Sequence, residues 1–260
     1  MDAKTLKTLL KDTPVSEVRF YSETGSTNDI ALQWLDSGAP DFALVSADSQ
    51  SAGRGRMQRQ WITNPGAALA FSIILHLNKA EIPFAGMMPF IAGASVCSAL
   101  EQLFSLAPQV KWPNDILLSG EKAAGILVES IWKEADHVSV VAGIGVNINL
   151  ASLPPSNGMT LPATCVEKAV GYPVNRWDLL SAILSCLGHW RSAIGKEELI
   201  SFLQSRLAYK GKQVRILHNF GQELHGEVAG IDQSGALMLE TQAGILTIDI
   251  GDVQLRLLNN

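Results

Sequence analysis

The sequence predicts an α+β fold, in which a mixed β-sheet with flanking helices (residues 1–210) is followed by a small β-barrel (residues 211–260). Helical and strand-type apolar patterns alternate through the first part, whereas short strand-type runs separated by turns fill the last part. Such a series of short strands is typical of a small barrel. Hydrophobic residues make up 47% of the chain and charged residues 17%, which is the composition of a globular protein.

The N-terminal segment MDAKTLKTLLKD has the pattern of a short amphipathic helix. The next segment, VRFYSETGSTNDIALQWLDSG, predicts a strand, a turn and a second helix. Ser26 or Thr27 can cap that helix, Asp29 falls in its first turn and Gly38 ends it. The start of a helix also exposes backbone N–H groups, so GSTN is both a helix cap and a candidate polar ligand site.

Apolar runs define the remaining elements. Strands are predicted at Phe42–Ala47 and Ala68–Leu77 and within QVKWPNDILL, GILVESIW and HVSVVAGIGVNIN. Helices are predicted at Met87–Phe104, Arg176–Trp190 and Lys196–Leu207. From about Gly211 onward, the predicted barrel strands are VRILHN, HGEVAGI, ALMLE, GILTIDI and VQLRLL.

Composition excludes several classes of protein. The net charge of −5 argues against a general nucleic-acid-binding protein, because neutralising phosphates requires a basic face. No stretch approaches the roughly 20 apolar residues of a membrane span, and the N-terminus lacks an apolar segment of signal-peptide length. Cys97, Cys165 and Cys186 show no metal-ligand spacing, and their odd number suggests reduced thiols. We therefore expect a soluble, cytoplasmic protein without nucleic-acid or membrane partners.

The segment SAGRGRMQRQW (Ser51–Trp61), here called the arginine loop, holds three of the chain's nine arginines against the overall negative charge. Gly53 and Gly55 permit positive φ angles and close approach of backbone amides to a ligand. Arginine supplies forked donors for phosphate or carboxylate, and Trp61 can stack on a base or cover a pocket. A solvated basic turn is the alternative, but the closing tryptophan favours an anion site.

The segment KWPNDI (Lys111–Ile116) interrupts an apolar run with proline, which donates no ladder hydrogen bond. Asn114 and Asp115 then project polar groups beside the run. Asn-Asp after proline is also good turn chemistry, but a turn does not require the preceding Lys and Trp. Lys111, Asn114 and Asp115 together can hold a phosphate and a hydrated magnesium ion, whose ligands are oxygen atoms.

Two further strand motifs carry polar residues. KAAGILVES places Lys122 at the mouth of a hydrophobic strand, with Gly125 three residues further on. GIGVNIN matches part of a dinucleotide fingerprint, but the third glycine and the following helix are missing, which excludes a Rossmann site. Asn147 and Asn149 point to the same face of a strand, so at least one of them can meet a ligand. Burial as a structural amide is the alternative, for Asn149 in particular.

The order of the motifs is more specific than any one of them: STN, Q-x-A-G-R-G-R-x-x-R-x-W, KWPND, K-x-x-G-I-L-x-E and G-x-G-x-N, then a small barrel. From about Ser22 onward the chain closely resembles the biotin protein ligases, which attach biotin to acetyl-CoA carboxylase. The resemblance implies a catalytic domain like that of class II aminoacyl-tRNA synthetases and an SH3-like C-terminal barrel. The chain departs from the family pattern GRGRxGRxW at Gln58, where glycine is usual, which bears on the flexibility of the loop.

The resemblance implies a two-step reaction. The carboxylate of biotin attacks the α-phosphorus of ATP to give biotinyl-5′-AMP and pyrophosphate, and a lysine of a carrier domain then displaces AMP. Bifunctional family members carry an N-terminal winged helix-turn-helix that represses transcription. About twenty residues precede the catalytic motifs here, so the chain resembles the monofunctional type.

The resemblance also implies roles for individual residues. The implied catalytic residues are Lys122, Arg56, Lys111 and Asp115. The implied biotin-binding residues are Ser26, Thr27, Asn28, Gln50, Arg54, Arg56, Lys122 and Gly125. The implied residues for ATP and the adenylate are Arg54, Arg56, Arg59, Trp61, Lys111, Asn114 and Asn147, and those for Mg²⁺ are Asn114 and Asp115.

The expected partner is the biotin carboxyl carrier protein of acetyl-CoA carboxylase. Family members often dimerise by extending their sheet, some only with ligand bound, so a homodimer is the favoured assembly. Two alternatives remain open at this stage. One is a lipoate or octanoate–protein ligase, which shares the catalytic fold, and the other is a biotin-sensing protein without ligase turnover.

Overall fold

A computed structural model describes residues 1–61, 63–134, 136–154, 161–218, 223–249 and 253–258. The elements of the larger sheet and its helices are, in chain order, α1 (Ala3–Leu9), β1 (Val18–Thr24), α2 (Thr27–Asp36), β2 (Ala43–Gln50), β3 (Ala68–Leu77), α3 (Met88–Phe104), β4 (Gln109–Lys111), β5 (Asp115–Leu118), β6 (Glu121–Glu134), β7 (His137–Asn147), α4 (Val166–Val170), α5 (Arg176–Ser192) and α6 (Glu197–Arg206). The smaller sheet contains β8 (Gln213–His218), β9 (Glu223–Ile231), β10 (Leu237–Thr241), β11 (Gly244–Ile248) and β12 (Val253–Leu257).

The larger sheet has the strand order β1-β2-β3-β7-β6-β5-β4. β1 runs parallel to β2, and the other neighbouring strands pair antiparallel, so the predicted mixed sheet is confirmed. β3 lies in the middle of the sheet, and its residues are buried on both faces except His76. This position explains why ALAFSIILHL reads as a continuous apolar run, because helices cover both faces of the strand.

Helix α3 is the central helix of the core and packs against α5 and the sheet. The helical segment Ile82–Phe104 is long and apolar enough to cross a membrane, so the expectation that no stretch reaches this length is wrong. Within this protein, 72% of the most apolar 18-residue stretch of that segment is buried. Its apolar residues on all sides are explained by burial between the sheet and α5.

Three local details differ from the prediction. QVKWPNDILL forms two antiparallel strands, β4 and β5, because the backbone turns at Trp112–Asn114 instead of continuing. The short helix α4 was not predicted. Ser26 occupies the N-cap position of α2, but its side chain makes no capping hydrogen bond, and Thr27 is already the first helical residue.

The C-terminal strands form a five-stranded antiparallel sheet with the order β11-β10-β9-β8-β12, as expected for the SH3-like unit. Its β9–β10 turn inserts into the core beside the larger sheet. The indole N–H of Trp112, which is fully buried, donates to the carbonyl of Gly235 at 3.0 Å. Gly235 has a φ of 84°, and a Cβ there would lie 2.4 Å from the ring of Phe90. Only glycine therefore fits at this contact.

Arg191 of α5 ties several segments together from a nearly buried position. Its Nε donates to Glu81 at 2.8 Å, its Nη1 to Asp41 at 2.8 Å and its Nη2 to the carbonyl of His76 at 2.5 Å. Burial raises the pKa of Glu81, but hydrogen bonds from Arg191 and from the backbone of Asn78 outweigh it. The pKa of Glu81 therefore lies below that of an ordinary glutamate. The carboxylate stays charged because the guanidinium compensates it.

We expect Arg191→Met to lower the free energy of unfolding by about 3–5 kcal/mol, because it leaves the Glu81 carboxylate buried without its partner. Urea unfolding at neutral pH measures this loss. Because the folded-state pKa of Glu81 is depressed, its contribution is present above the ordinary glutamate pKa. It is lost as the pH falls through the folded-state value, so the difference between wild type and variant narrows in acid.

Arg206→Met is the matched control, since Arg206 pairs with Glu101 where the two side chains are 25% and 28% exposed. The more hydrated pair predicts a clearly smaller loss, of about 1 kcal/mol. Equal losses in the two variants would contradict a special role for the Arg191 cluster.

Candidate active site

A cavity of about 150 Å³ lies on one face of the larger sheet, over its central strands. Its walls come from the start of α2, the end of β2, the arginine loop, β5, β6, β7 and β12. The sequence-predicted residues that line it are Ser26, Thr27, Asn28, Gln50, Arg54, Arg56, Arg59, Trp61, Lys111, Asn114, Asp115, Lys122 and Gly125. Segments that are far apart in the chain, from Ser26 to Arg256, therefore converge on one site.

Asn147 is the predicted residue that does not line this cavity. It is 4% exposed, and its side-chain amide donates to the carbonyl of Thr164 at 3.0 Å. The amide therefore fastens β7 to the segment before α4. Asn149 likewise serves the backbone, because its side chain accepts from the N–H of Ala151.

One end of the cavity is polar and formed by the α2 N-terminus and β2. The Gln50 side-chain oxygen accepts the backbone N–H of Thr27 at 2.8 Å, and its amide nitrogen donates to Thr63 at 3.3 Å. The hydroxyl of Ser72, on β3, lies 2.8 Å from the Thr27 hydroxyl and 2.6 Å from the Asn28 side-chain oxygen. This end can hold a compact ligand group that has both hydrogen-bond donors and acceptors.

The arginine loop forms a small hairpin. Arg54 bridges to Gln60, the N–H of Gly55 donates to the Arg59 carbonyl at 2.7 Å, and the N–H of Trp61 donates to the Gly53 carbonyl at 2.8 Å. A short 3₁₀ turn, Arg56–Gln58, closes the hairpin. The arginine side chains therefore project from a backbone that is held by hydrogen bonds across the hairpin.

The glycines of this hairpin do not adopt the positive φ angles that the sequence suggested. Met57 at the hairpin tip has a φ of 55°, whereas Gly55 has −119°. Gly53 is needed for a different reason, because a Cβ there would lie 2.4 Å from the carbonyl oxygen of Trp61. The close approach of the two hairpin strands, not backbone handedness, therefore requires glycine at this position.

Arg54 is held by two carboxylates. Its Nη2 lies 2.6 Å from Asp29 and 3.0 Å from Glu129, and its Nη1 lies 3.2 Å from Glu129. Burial lowers the pKa of Arg54, but the hydrogen bonds and charges of Glu129 and Asp29 raise it more, so the net shift is upward. In this state Arg54 anchors the arginine loop to α2 and β6.

Asp115 lies between two lysines. Its carboxylate is 2.5 Å from the Lys122 ammonium and 3.4 Å from the Lys111 ammonium. The β5–β6 register shifts between Ile116 and Leu117, and such a bulge redirects the side chain next to it. As a result Lys122 reaches across to the carboxylate that begins β5.

These contacts and the burial around them shift the pKa values of Lys111 and Asp115. Burial lowers the pKa of Lys111, with further lowering from Arg256 and Lys122 that the Asp115 carboxylate only partly offsets. Burial raises the pKa of Asp115, but the charges of Lys122 and Lys111 outweigh it, and the pKa lies below the ordinary aspartate range. Asp115 is therefore a charged acceptor at neutral pH.

The same contacts bear on a magnesium ion. Magnesium is usually bound through one or two carboxylates together with waters and substrate phosphates. Both oxygens of Asp115 face ammonium groups, and the Asn114 amide nitrogen donates to the Ile126 carbonyl at 2.7 Å. Among the described residues no group of three or more His, Cys, Asp or Glu side chains is placed to hold a metal. These residues do not fit a metal site built by the protein alone.

Trp61 lies on the wall formed by β6 and β7. A Cβ on Gly145 would be 2.4 Å from its indole ring, and one on Gly125 would be 3.1 Å from it. The Lys122 ammonium is 5.6 Å from the ring centroid, within the range of a cation–π contact. A Cβ on Gly143 would likewise lie 2.2 Å from the Asn28 side-chain oxygen. The glycines of GILVE and GIGVN therefore make room for side chains of the site.

Sequence reasoning missed several residues of the site. Leu255 and Arg256 of β12 line the cavity, so the C-terminal sheet contributes to it directly. Burial and the nearby charge of Arg59 lower the pKa of Arg256. Nothing in VQLRLL distinguishes this arginine from a surface residue. Ser72 was also missed, because a hydroxyl within a strand gives no signal until its neighbours are known. Glu129 ends the K-x-x-G-I-L-x-E motif but was given no role.

The described residues lining the cavity include six basic side chains, Arg54, Arg56, Arg59, Lys111, Lys122 and Arg256, and one acidic side chain, Asp115. This local excess of positive charge lies in a protein whose net charge is −5. Such a concentration is unfavourable without a counter-ion, so the arrangement favours a polyanionic ligand. Positively charged groups preorganised around a phosphoryl centre also stabilise charge that develops there.

The chain matches two family models. Residues 21–147 match the biotin/lipoate A/B protein ligase family, and residues 210–256 match the biotin protein ligase C terminal domain. The first match spans α2, the arginine loop, β5 and β6, which carry most of the cavity, and the second contains Arg256.

Individual relatives agree with the family models. The chain is 33% identical over 258 residues to the bifunctional ligase/repressor BirA of Bacillus spizizenii, covering 92% of this chain and 78% of the relative. It is 32% identical to the biotin–[acetyl-CoA-carboxylase] ligase of Paracoccus denitrificans, covering 89% and 98%. The structure of the Aquifex aeolicus biotin protein ligase in complex with biotin and ATP matches with a TM-score of 0.78 and 27% identity, covering 93% and 99%. The chain therefore belongs to the biotin protein ligase family and is a ligase.

Proposed function

We propose that this chain activates biotin with ATP and transfers it to a lysine of a biotin carboxyl carrier protein. In the first step a carboxylate oxygen of biotin bonds to the α-phosphorus of ATP, and pyrophosphate leaves. In the second step the amine of the carrier lysine bonds to the biotinyl carbonyl, loses a proton, and AMP leaves. The carrier protein is the proposed macromolecular partner.

One observation carries this proposal: a polar end and a cationic end share one cavity. The Thr27 and Gln50 end offers donors and acceptors for the ureido ring of biotin, with Ser26, Asn28 and the backbone of Gly125 beside it. The Trp61 ring, packed on Gly125 and Gly145 of β6 and β7, provides an apolar wall for the rest of biotin. The cationic end then meets the carboxylate and the phosphates, which are the groups that must be brought together against their mutual repulsion.

Within the cationic end we assign different roles to the basic groups. Lys122 and Lys111 flank the reacting carboxylate and the α-phosphate, where Asp115 holds both ammonium groups in place. Arg56 and Arg59, on the hairpin tip, and Arg256, on β12, receive the remaining phosphates. Trp61 and Asn114 line the nucleotide side. Asn147 acts on the nucleotide only indirectly, through the segment that it fastens.

Magnesium enters this proposal bound to the nucleotide. Asp115 is the counter-ion of two lysines, so the oxygen ligands of the ion come chiefly from ATP phosphates and water. Asn114 would supply a further oxygen ligand to the ion. When bound, the ion would neutralise phosphate charge.

The distal part of β6 supports the proposed assembly. β5 pairs with β6 only over Glu121–Gly125, and no second strand covers the rest of β6 among the described residues. Trp132 on this part is 57% exposed. We propose that this edge pairs with a second copy of the chain. We also place the protein in the cytoplasm, and its three cysteines, all free and buried, are compatible with reduced thiols.

The direct test mixes the protein with biotin, MgATP and an isolated biotin carboxyl carrier domain. We expect the mass of the carrier to increase by one biotinyl group at a single lysine, with pyrophosphate released. Lipoate and octanoate serve as competing acids in the same assay. Transfer of either in preference to biotin would replace the proposed substrate, and biotin binding without pyrophosphate release would indicate a biotin-sensing protein.

Replacing the ammonium of Lys122 separates binding from chemistry. We expect Lys122→Ala to slow biotinyl-5′-AMP formation by about a hundredfold or more while weakening biotin binding much less, because its charge matters most as the phosphate oxygens gain charge. Rapid-quench kinetics and calorimetry measure the two quantities. Lys168→Ala is the control, since Lys168 pairs with Glu121 outside the cavity. Equal losses in rate and in affinity would assign Lys122 to binding alone.

The charge of Asp115 sets the pH range of the reaction. Asp115→Asn removes the group that raises the pKa of Lys111, so that pKa falls further below its ordinary value. Lys111 then loses its proton at lower pH, and the alkaline limb of the rate profile for adenylate formation should move to lower pH. A limb that stays in place, while the magnesium concentration for half-maximal rate rises, would make Asp115 a metal ligand instead.

A further inference from the structure

Glu129 does not line the cavity, yet it contacts two residues that do. Its carboxylate accepts from the Asn28 amide nitrogen at 2.7 Å and from both terminal nitrogens of Arg54. Asn28 is 3% exposed, and its side-chain oxygen is hydrogen-bonded to the hydroxyl of Ser72, which is fully buried. The Ser72 hydroxyl is also hydrogen-bonded to that of Thr27. A carboxylate on the rim is thus joined by three hydrogen-bonded side chains to the polar end of the cavity.

The positions of the hydrogen atoms in this series of hydrogen bonds, from Glu129 to Thr27, follow from counting donors. An ionised carboxylate only accepts, so Asn28 must turn its NH₂ toward Glu129. The Leu127 carbonyl, 3.3 Å from the same nitrogen, is a second acceptor and favours the same orientation. The Asn28 oxygen therefore faces Ser72, and the single hydroxyl hydrogen of Ser72 must be donated to it, at 2.6 Å.

The same count decides the role of Thr27. The Ser72 and Thr27 oxygens are 2.8 Å apart, and the Ser72 hydrogen is already used, so the Thr27 hydroxyl must donate to Ser72. The Gln50 side-chain oxygen accepts the backbone N–H of Thr27 at 2.8 Å and lies 3.1 Å from the Thr27 hydroxyl, so it is a second and more distant acceptor for the same hydroxyl hydrogen. The Thr27 hydroxyl consequently has only lone pairs left to offer a ligand.

We propose that Glu129 is a positioning residue that fixes the direction of these hydrogen bonds through Asn28 and Ser72. It thereby makes the Thr27 hydroxyl an acceptor for an N–H of the ligand. The inference deepens the proposed function, because it assumes that the ureido group of biotin occupies the polar end. It predicts selectivity for a cyclic urea, because an analogue with an oxygen in place of that N–H would bring lone pairs against lone pairs.

Glu129→Gln is expected to reverse the donor and acceptor roles along this series of hydrogen bonds. Arg54 retains the oxygen of the new amide because a guanidinium has no acceptor, which leaves the new NH₂ facing Asn28. Asn28 then turns its oxygen toward that NH₂ and its own NH₂ toward Ser72. Ser72 donates to Thr27 in turn, and the Thr27 hydroxyl hydrogen is released toward a ligand or toward the Gln50 oxygen, 3.1 Å away. Ser72→Ala reaches a similar end by a different route, since it removes the group to which Thr27 donates.

The experiment compares the affinity of the full-length protein for biotin with its affinity for two cyclic carbamates, each with one ring N–H of biotin replaced by oxygen. In the wild type, biotin should bind at least about tenfold more tightly than the carbamate whose oxygen faces Thr27. That preference should fall by about tenfold in both Ser72→Ala and Glu129→Gln. Adenylate formation is not needed for the readout.

Two controls test whether the effect is specific. Ser46→Ala removes another buried hydroxyl, on β2, that donates to the Ala70 carbonyl and is not part of the series from Glu129 to Thr27. Glu121→Gln removes a carboxylate from the same strand as Glu129, where it pairs with Lys168. Both should keep the wild-type preference, so a general loss of stability cannot mimic the result.

The outcomes separate the inference from the proposed function. If the wild type fails to bind biotin, the proposed function is wrong. If the wild type binds biotin but both Ser72→Ala and Glu129→Gln keep its full preference over the carbamates, the proposed function stands and the role of Glu129 is overturned.

Discussion

Repulsion between like charges is the constraint around which this site is built. Lys111 and Lys122 share one wall of a cavity, and they can both remain there because the Asp115 carboxylate lies between them. The other basic groups approach from separate supports, the arginine hairpin and β12, and Arg54 is balanced by Asp29 and Glu129. Carboxylates thus compensate Lys111, Lys122 and Arg54 before an anion binds. The cost of assembling them is met during folding, so little reorganisation is left for the reaction.

The apolar wall obeys a different constraint, which is volume. Gly125, Gly143 and Gly145 lie on adjacent strands, and side chains from other segments fill the space above them. Trp61 reaches this wall from the arginine hairpin and Asn28 reaches it from α2. The motifs GILVE and GIGVN are therefore two halves of one surface, although their glycines have no conformational requirement of their own there. A larger residue at either strand would displace the side chains that shape the cavity.

The sequence was sufficient for most of the fold and for the residues with strong motifs. Apolar patterns identified β3, α3 and the five C-terminal strands. They failed where local rules compete: QVKWPNDILL looked like one apolar run, and the turn at Trp112–Asn114 divides it. Site residues were predictable when they were unusual in their segment, as with Lys111 and the loop arginines. Asn147 satisfies the same pattern but serves the backbone, and Arg256 has no pattern, since its position depends on how the two sheets pack.

The insertion of the β9–β10 turn beside Trp112 affects how this enzyme can be recombined. The residue that contacts Gly235 is the immediate neighbour of Lys111, and β12 of the same sheet supplies Arg256 to the cavity. The C-terminal sheet is therefore part of the site and not an exchangeable appendage. A chimaera carrying another C-terminal domain inherits a working cavity only if that domain brings both a glycine of left-handed conformation at the turn and a basic residue on its last strand. Substitutions at Gly235 or Arg256 therefore affect the cavity, although both residues lie more than a hundred residues along the chain from Lys111 and Lys122.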